Sequence, residues 1–216
     1  MPEPQGQVSG HTSVVSDQRV DPSQGRDILV FAALGVVSGI LSFIAGKHAQ
    51  LPFLHLSFFP YDAYRGSAPI LPGVIFGLLV AGCAHHFGSR DRLRLLLAVL
   101  LTTAAWVLAF DLTSQADFYL GMHVTSEARG AITCGIGGLV GGLGTCIAVA
   151  IANPKFRGLE AWLLTVLVAT LFGAIEKVYE QFAELFDDAA LCALFVVWQA
   201  AVIAAVARGL ARARGS

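Results

Sequence analysis

The stretch from Gly130 to Ala152 contains no charged side chain, and it repeats small residues at regular intervals. In a helix, residues four apart lie on one face, so these small residues form two adjacent rows opposite a face of bulky aliphatic residues. The rows are Gly130, Cys134, Gly138, Gly142 and Cys146, and Thr133, Gly137, Gly141 and Thr145. Glycine inside a helix is less favourable than alanine by about 1 kcal/mol, so the pattern predicts that neighbouring helices approach closely within a bilayer.

The composition of the whole chain supports a membrane protein. Of 216 residues, 56% are hydrophobic and 13% are charged, with a mean hydropathy of +0.69, whereas a soluble domain carries about 25% charged residues. A net charge of −1 without a concentrated basic face excludes a nucleic-acid partner. The four cysteines all fall in apolar runs, where they are expected to be small buried residues rather than disulfides.

Six segments approach the roughly 20 apolar residues that a membrane-spanning helix needs. They are Ile28 to Gly46, Pro69 to Gly88, Leu93 to Asp111, Gly130 to Ala152, Leu159 to Ile175 and Ala189 to Ala207. We therefore predict an all-α bundle of six transmembrane helices, with a glycine-rich central helix 4. The connections between segments 2 and 3 and between segments 4 and 5 are very short, so each of these pairs should be antiparallel neighbours.

The positions of Lys and Arg predict how the chain is oriented, because basic connections stay in the cytoplasm. With six spans, four of the fourteen basic residues fall on one side of the membrane, namely Lys47, Arg65, Arg129 and Lys177. The other ten fall on the opposite side. Both termini should therefore be cytoplasmic in a multi-pass protein of the cell membrane, the inner membrane in a bacterium. The predicted organisation is a flexible tail (1–26), a transmembrane domain (27–208) and a basic C-terminal tail (209–216).

The predicted outer connections hold the candidate ligand contacts. The connection from Lys47 to Ala68 is rich in aromatic residues, which is typical of an interfacial or re-entrant segment across the outer mouth. An aromatic belt without a ligand role is the alternative interpretation. The candidate ligand-binding residues on these connections are Phe58, Tyr61, Asp117, His123, Glu176 and Glu180.

The acidic stretch from Ile175 to Asp188 has Glu176, Glu180 and Glu184 four residues apart, opposite apolar residues. This pattern predicts that segment 5 continues outward as an amphipathic helix. Its carboxylate row is either a solvated face of the outer connection or a site that attracts cations. Asp111, Glu160 and Glu176 all fall near segment ends, which disfavours a proton relay through a carboxylate at the bilayer centre.

No motif for a cofactor, metal or nucleotide is found. The string from Gly135 ends in Val140 where GxGxxG requires glycine, and GxxxxGK[ST], HExxH and CxxC are all missing. No nucleophile, base and orienting group occur at a recognisable spacing. An enzyme is therefore disfavoured, and we predict no catalytic residues, no metal and no cofactor.

Glycines in two corresponding places are predicted to pack helices together. Segment 1 contains Gly35 and Gly39, and segment 4 contains Gly138 and Gly142, each pair as GxxxG. With Gly137 and Gly141 they form the candidate packing set, and segment 4 is expected to contact segments 1 and 5. Similar helices in opposite halves are found in transporters with inverted repeats.

These patterns give three functional hypotheses. The first is a transport or solute-binding component with an outward-facing cavity for a small solute. The second is a non-catalytic scaffold or accessory subunit whose helix 4 packs through its glycine face against a partner membrane protein or a second copy. The third is a cation channel with an acidic mouth. The lipid bilayer is the one partner common to all three.

Overall fold

The computed structural model describes residues 22–48, 55–58, 68–121 and 123–215. In these ranges the chain forms six α-helices and one two-stranded antiparallel ribbon. The elements are α1 (Pro22–His48), β1 (His55–Leu56), β2 (Ala68–Pro69), α2 (Ile70–His86), α3 (Arg92–Leu120), α4 (Ser126–Ala152), α5 (Leu159–Ala174) and α6 (Glu176–Gly215). In the ribbon His55 pairs with Pro69, and Leu56 pairs with Ala68.

The six apolar segments each correspond to one helix, but several helices are longer than the segments. Helix α1 begins at Pro22 instead of Ile28, so residues 22–26 of the expected tail are helical. Helix α3 continues nine residues past Asp111, to Leu120. Helix α6 continues to Gly215, so most of the expected basic tail is also helical.

Four of the helices are long and apolar enough to cross a membrane, which indicates a membrane-embedded protein. These candidate spans are Ser23–His48, Arg92–Leu120, Ala128–Ala152 and Cys192–Arg214. The other two apolar helices, α2 and α5, have 17 and 16 residues. At 1.5 Å per residue they are about 26 Å and 24 Å long, compared with a hydrocarbon core of about 30 Å.

The acidic stretch is helical, but it does not continue α5 as predicted. Helix α5 ends at Ala174, Ile175 lies in a turn, and the stretch from Glu176 onward is the beginning of α6. The periodicity of the glutamates predicted the helix correctly. It could not place the break, because Ile175 is compatible with either helix, and Gly173 just before it is one of many glycines that lie inside the helices of this chain.

The helices pack in a ring that follows their order in the chain, and α6 closes the ring against α1. The predicted neighbours α2 and α3, and α4 and α5, do pack together. Helix α4 contacts α3 and α5 most extensively, and it also meets α2 and α6. The prediction that α4 packs against α1 was wrong, because α1 packs mainly on α6 and α2.

Glycine allows close approach at the contacts of the ring. Between α1 and α6, a Cβ added to Gly35 would meet the Cα of Ala200 at 2.5 Å, and one added to Gly39 would meet the backbone of Val196. Between α2 and α3, a Cβ on Gly77 would meet the carbonyl oxygen of Val99 at 2.9 Å. The small residues therefore bring backbones together, which is how helices associate when the surrounding lipid is as apolar as their side chains.

Helix α4 separates its two faces as its sequence pattern predicts. The bulky face is exposed at Ile132, Leu139, Leu143 and Ile147, whereas Gly138, Gly141 and Gly142 are buried. Helix α5 exposes a similar apolar row, formed by Leu159, Leu163, Leu167 and Leu171. Such outward apolar rows fit a surface in contact with acyl chains rather than with water.

Short connections tie the helices together at one end of the bundle, where α2 and α4 end and α3 and α5 begin. Ser89 Oγ donates to the carbonyl oxygen of Ala152 at 2.6 Å. Asp91 accepts hydrogen bonds from the backbone N–H groups of Leu93 and Arg94, and so caps the N-terminus of α3. We call this the basic end, and it carries Arg26, Arg90, Arg92, Arg94, Lys155, Arg157, Arg208, Arg212 and Arg214.

Replacing glycine by alanine should have opposite effects on stability inside and outside the contact between α4 and α5. A Cβ on Gly138 would overlap the carbonyl oxygen of Ala169, whereas one on Gly82 would meet nothing within 4 Å. We expect Gly138→Ala to lower the free energy of unfolding by about 1–3 kcal/mol, through overpacking. Gly82→Ala should raise it by up to about 1 kcal/mol, through helix propensity. Unfolding by SDS titration in mixed micelles measures both values, and equal effects would contradict the packing described here.

Candidate functional site

A cavity of about 160 Å³ lies inside the ring, against the glycine face of α4. Five of the six helices, α2 to α6, contribute to its wall. The lining residues are Phe76, Thr102, Trp106, Ala109, Phe110, Thr113, Cys134, Gly137, Gly138, Gly141, Thr145, Gly173, Leu194, Phe195 and Trp198. The cavity therefore lies where the two rows of small residues leave room between α4 and its neighbours.

Two pairs of aromatic rings form much of the wall. The ring centroids of Phe76 and Trp198 are 5.3 Å apart, and those of Trp106 and Phe195 are 5.4 Å apart. Each indole N–H donates to a backbone carbonyl, that of Trp106 to Pro69 at 2.9 Å and that of Trp198 to Ala169 at 3.0 Å. Because these bonds hold the indoles, the rings are fixed in place and present carbon surfaces to the cavity.

The polar groups in the wall are already engaged. The hydroxyls of Thr102, Thr113 and Thr145 each donate to the carbonyl four residues earlier, at 2.8 Å in every case. Among the described residues that line the cavity there is no Asp, Glu, Lys, Arg or His. The wall thus offers aromatic and aliphatic surface with few free donors, and it suits an uncharged apolar molecule.

The two rows of small residues on α4 have different roles. Gly138 and Gly142 lie against Ala169 of α5, where an added Cβ would overlap the helix. Gly141 faces Trp198 of α6, whose ring would be 3.2 Å from an added Cβ, and Gly137 faces the hydroxyl of Thr113. The first row therefore brings α4 and α5 together, and the second opens the space between α3, α4 and α6.

A buried carboxylate holds Ser57 and Phe58 beside this cavity. Asp111 is completely buried, and its oxygens accept hydrogen bonds from Ser57 Oγ at 3.1 and 3.2 Å and from the backbone N–H of Phe58 at 2.6 Å. Its neighbours along α3, Phe110 and Thr113, line the cavity. Asp111 thus fixes the residues after β1 beside the cavity wall. Hydrogen bonds to a carboxylate are stronger than those between neutral groups.

A second buried polar group joins α1 to α6. Gln199 is completely buried, accepts a hydrogen bond from Ser38 Oγ at 2.6 Å and donates to Ser42 Oγ at 2.9 Å. Ser42 Oγ also reaches the carbonyl oxygen of Pro72 at 3.5 Å. Since Gly35 and Gly39 bring the two helices together on the same side, this network fixes their rotation and depth relative to each other.

The described candidate ligand residues chosen from the sequence do not line the cavity. The side chain of Phe58 is 52% exposed, Asp117 pairs with Arg129 at 3.1 Å, and His123 is exposed in the turn before α4. None of these three lines the cavity. Tyr61 lies outside the described residues. Glu176 and Glu180 lie in the first turns of α6, and their side chains are outside the described part of the chain.

Two signals in the sequence could have indicated this site. Trp106 and Trp198 are large interior surfaces in segments 3 and 6, and the structure shows that both face one cavity. Asp111 falls at the end of segment 3, where an acidic residue followed by further helix would have suggested a partner. Within the described ranges, no three His, Cys, Asp or Glu side chains are grouped so that they could hold a metal ion.

Removing the carboxylate of Asp111 should release the β1 segment. Hydrogen bonds to charged groups contribute about 1.5–3 kcal/mol, so the amide of Phe58 in Asp111→Ala should exchange roughly 10- to 100-fold faster. Hydrogen–deuterium exchange followed by mass spectrometry of the peptide around residues 55–58 measures this. Asp117→Ala, which removes a half-exposed carboxylate of the same helix, is the matched control. Equal exchange in both variants would contradict the anchoring role.

Comparison of the chain with protein-family models, curated proteins and solved structures gives no match. These comparisons therefore assign the chain to no family.

Proposed function

We propose that the protein is a small multi-pass membrane protein that binds an uncharged, mainly apolar solute in the cavity, as a transport or solute-binding component. The observation that carries this proposal is the cavity wall. Fixed aromatic rings surround a space in which the threonine hydroxyls and indole N–H groups are already hydrogen-bonded to the backbone. A charged ligand would lose its hydration there without gaining a partner, whereas an apolar ligand would gain contact with rings on several sides.

The size of the cavity narrows the class of solute. A dry cavity of about 150 Å³ lined by apolar side chains holds one benzene ring, and the cavity here measures about 160 Å³. Sites for drug-sized ligands are larger, about 300–1,000 Å³. A single ring or a short aliphatic chain fits this volume.

The anchored connection supports access from the end opposite the basic end. Residues 57 and 58 are bound to Asp111, which is nine residues from the end of α3 and next to the lining residue Phe110. A solute entering from that end would pass the β1 segment before reaching the rings. We propose an outward-facing cavity with residues 55–58 at its mouth; residues 49–54 and 59–67 of the connection expected to cover it lie outside the described residues.

Six membrane spans and cytoplasmic termini complete the proposal. Helices α2 and α5 are shorter than the hydrocarbon thickness, but each is packed between two longer helices and continues into polar connections. Local thinning of the bilayer and snorkelling residues accommodate such short helices at a modest cost. The concentration of Lys and Arg at the basic end supports a cell-membrane protein with that end on the cytoplasmic side.

The two alternatives have less support. The glycine face of α4 is covered by α3, α5 and α6 of the same chain, so a partner helix would have to bind elsewhere. For a cation channel, an acidic lining is expected, and the described residues that line the cavity include no carboxylate. Neither alternative has a specific observation in its favour.

Iodobenzene tests the solute site, because the iodine atom of a bound molecule quenches the fluorescence of nearby tryptophan side chains. Trp106 and Trp198 line the cavity. The quenching of tryptophan fluorescence in the wild-type protein should therefore saturate as the iodobenzene concentration rises. Gly141→Leu places a side chain in the cavity and should leave only the linear quenching that partitioning into detergent produces. Gly82→Leu, at an exposed glycine with nothing within 4 Å, should behave as wild type.

Iodobenzoate, which has the same ring and a charge, should not give saturable quenching in any variant. Linear quenching of the wild-type protein by iodobenzene, or saturation that survives in Gly141→Leu with an intact fold, would refute the proposed site.

The orientation is tested by labelling introduced cysteines in intact cells with a membrane-impermeant maleimide. His123→Cys, at an exposed position before α4, should react from outside. Arg214→Cys, at the basic end, should react only after the membrane is permeabilised. The four native cysteines are buried or half-buried in helices, and the unsubstituted protein gives the background. The reverse pattern would place the termini outside.

A further inference from the structure

A second pocket, of about 320 Å³, lies at the basic end between the α4–α5 connection and the last turns of α6. Its rim holds three cations and one carboxylate, namely Lys155, Arg208, Arg212 and Glu160. The cavity among the tryptophans is elsewhere in the bundle and shares no residue with this pocket. Any role of the pocket in the bilayer depends on the membrane placement of the helices and is independent of the proposed solute.

The floor of the pocket is built by a folded connection rather than by a loose loop. Phe156 is 1% exposed and lies against Gly209, where an added Cβ would be 2.6 Å from the phenyl ring. Trp162 Nε1 donates to the carbonyl oxygen of Phe156 at 3.2 Å, and the backbone N–H of Lys155 donates to Asn153 Oδ1 at 3.2 Å. These contacts fix Lys155 next to the end of α6, so the charges on the rim belong to one site.

The electrostatics of the rim favour an anion. With three cations against one carboxylate, the pocket has a net charge of +2. Glu160 pairs with Arg212 and so orients that guanidinium toward the N-terminus of α5. No side chain caps that N-terminus, whose N-cap residue is Gly158. Free backbone N–H groups and the positive end of the helix dipole add to the attraction for negative charge.

The outside of the bundle is apolar at the same end of α5 as this pocket. The exposed row on α5 begins at Leu159, between two residues of the pocket, and continues through Leu163, Leu167 and Leu171. The side chain of Leu159 is 73% exposed and that of Leu163 is 60% exposed. A phosphate group attached to acyl chains would therefore find a cationic pocket for its head and an apolar track for its tail, whereas free phosphate would use the pocket alone.

We propose that this pocket binds the phosphate headgroup of an anionic phospholipid in the leaflet at the basic end. Lys155 and Arg208 provide the charge, Arg212 is positioned by Glu160, and the leucine row of α5 holds an acyl chain. Basic pockets between transmembrane helices on the cytoplasmic side are suited to such headgroups. A zwitterionic lipid would bring its own cation close to the rim and should bind more weakly.

Native mass spectrometry of the full-length protein, titrated with phosphatidylglycerol or with phosphatidylcholine of the same chain length, tests this proposal. Phosphatidylglycerol should bind the wild-type protein more tightly than phosphatidylcholine. The double variant Lys155→Gln, Arg208→Gln should bind phosphatidylglycerol about 30-fold more weakly, since each basic residue near the surface contributes roughly a factor of five. Its affinity for phosphatidylcholine should stay unchanged.

Two control variants show whether the site, and not total charge, is responsible. The double variant Arg90→Gln, Arg92→Gln removes the same charge from the same end outside the pocket, and should retain the affinity for phosphatidylglycerol. Lys155→Arg with Arg208→Lys keeps the charge and should also retain it. Equal losses in both Gln variants, or no preference for phosphatidylglycerol in the wild-type protein, would overturn the proposal. Inorganic phosphate that binds as tightly as the lipid would overturn the role of the acyl track.

Discussion

The close approach of α4 and α5 is the contact on which the arrangement of the bundle depends. At this contact glycine meets glycine, because a Cβ on Gly173 would be 2.6 Å from the carbonyl oxygen of Cys134 and 3.2 Å from the Cα of Gly138. In a bilayer, exclusion of water does not drive helices together, so backbone proximity and van der Waals contact have to do so. The contact fixes the rotation of α4 and thereby decides that its second row of small residues, with Gly137 and Gly141, faces inward.

The cavity follows from that rotation. A helix with large residues in place of Gly137 and Gly141 would fill the space between α3 and α6 with its own side chains. Small residues leave the space open, and aromatic rings from α2, α3 and α6 form its walls. The two neighbouring rows of one helix therefore build the helix contact and the proposed binding site. The buried groups Asp111 and Gln199 complete the arrangement: Asp111 holds Ser57 and Phe58, and Gln199 fixes the α1–α6 contact.

The helices and their exposed faces could be predicted from the sequence, because apolar length and the spacing of small residues are local properties. Segment 4 and its bulky face, including Leu139 and Leu143, are examples. The location and lining of the cavity could not be predicted, since they depend on which helices face Trp106 and Trp198, and that depends on the rotation of five helices. The role of Asp111 was missed for a similar reason, as its partners Ser57 and Phe58 are more than fifty residues away.

Nuclear Overhauser effects between the Hα protons of Gly138 and Gly173 test the central claim most directly, namely that the glycine face of α4 packs within its own chain. The sample contains protein with selectively labelled glycine, mixed with increasing amounts of unlabelled protein. The two residues should show a cross-peak, and its intensity per labelled chain should not change with the dilution. A cross-peak that weakens as unlabelled chains are added, or that appears only between differently labelled chains, would show that this face packs against a second copy. That result would contradict both the bundle and the cavity described here.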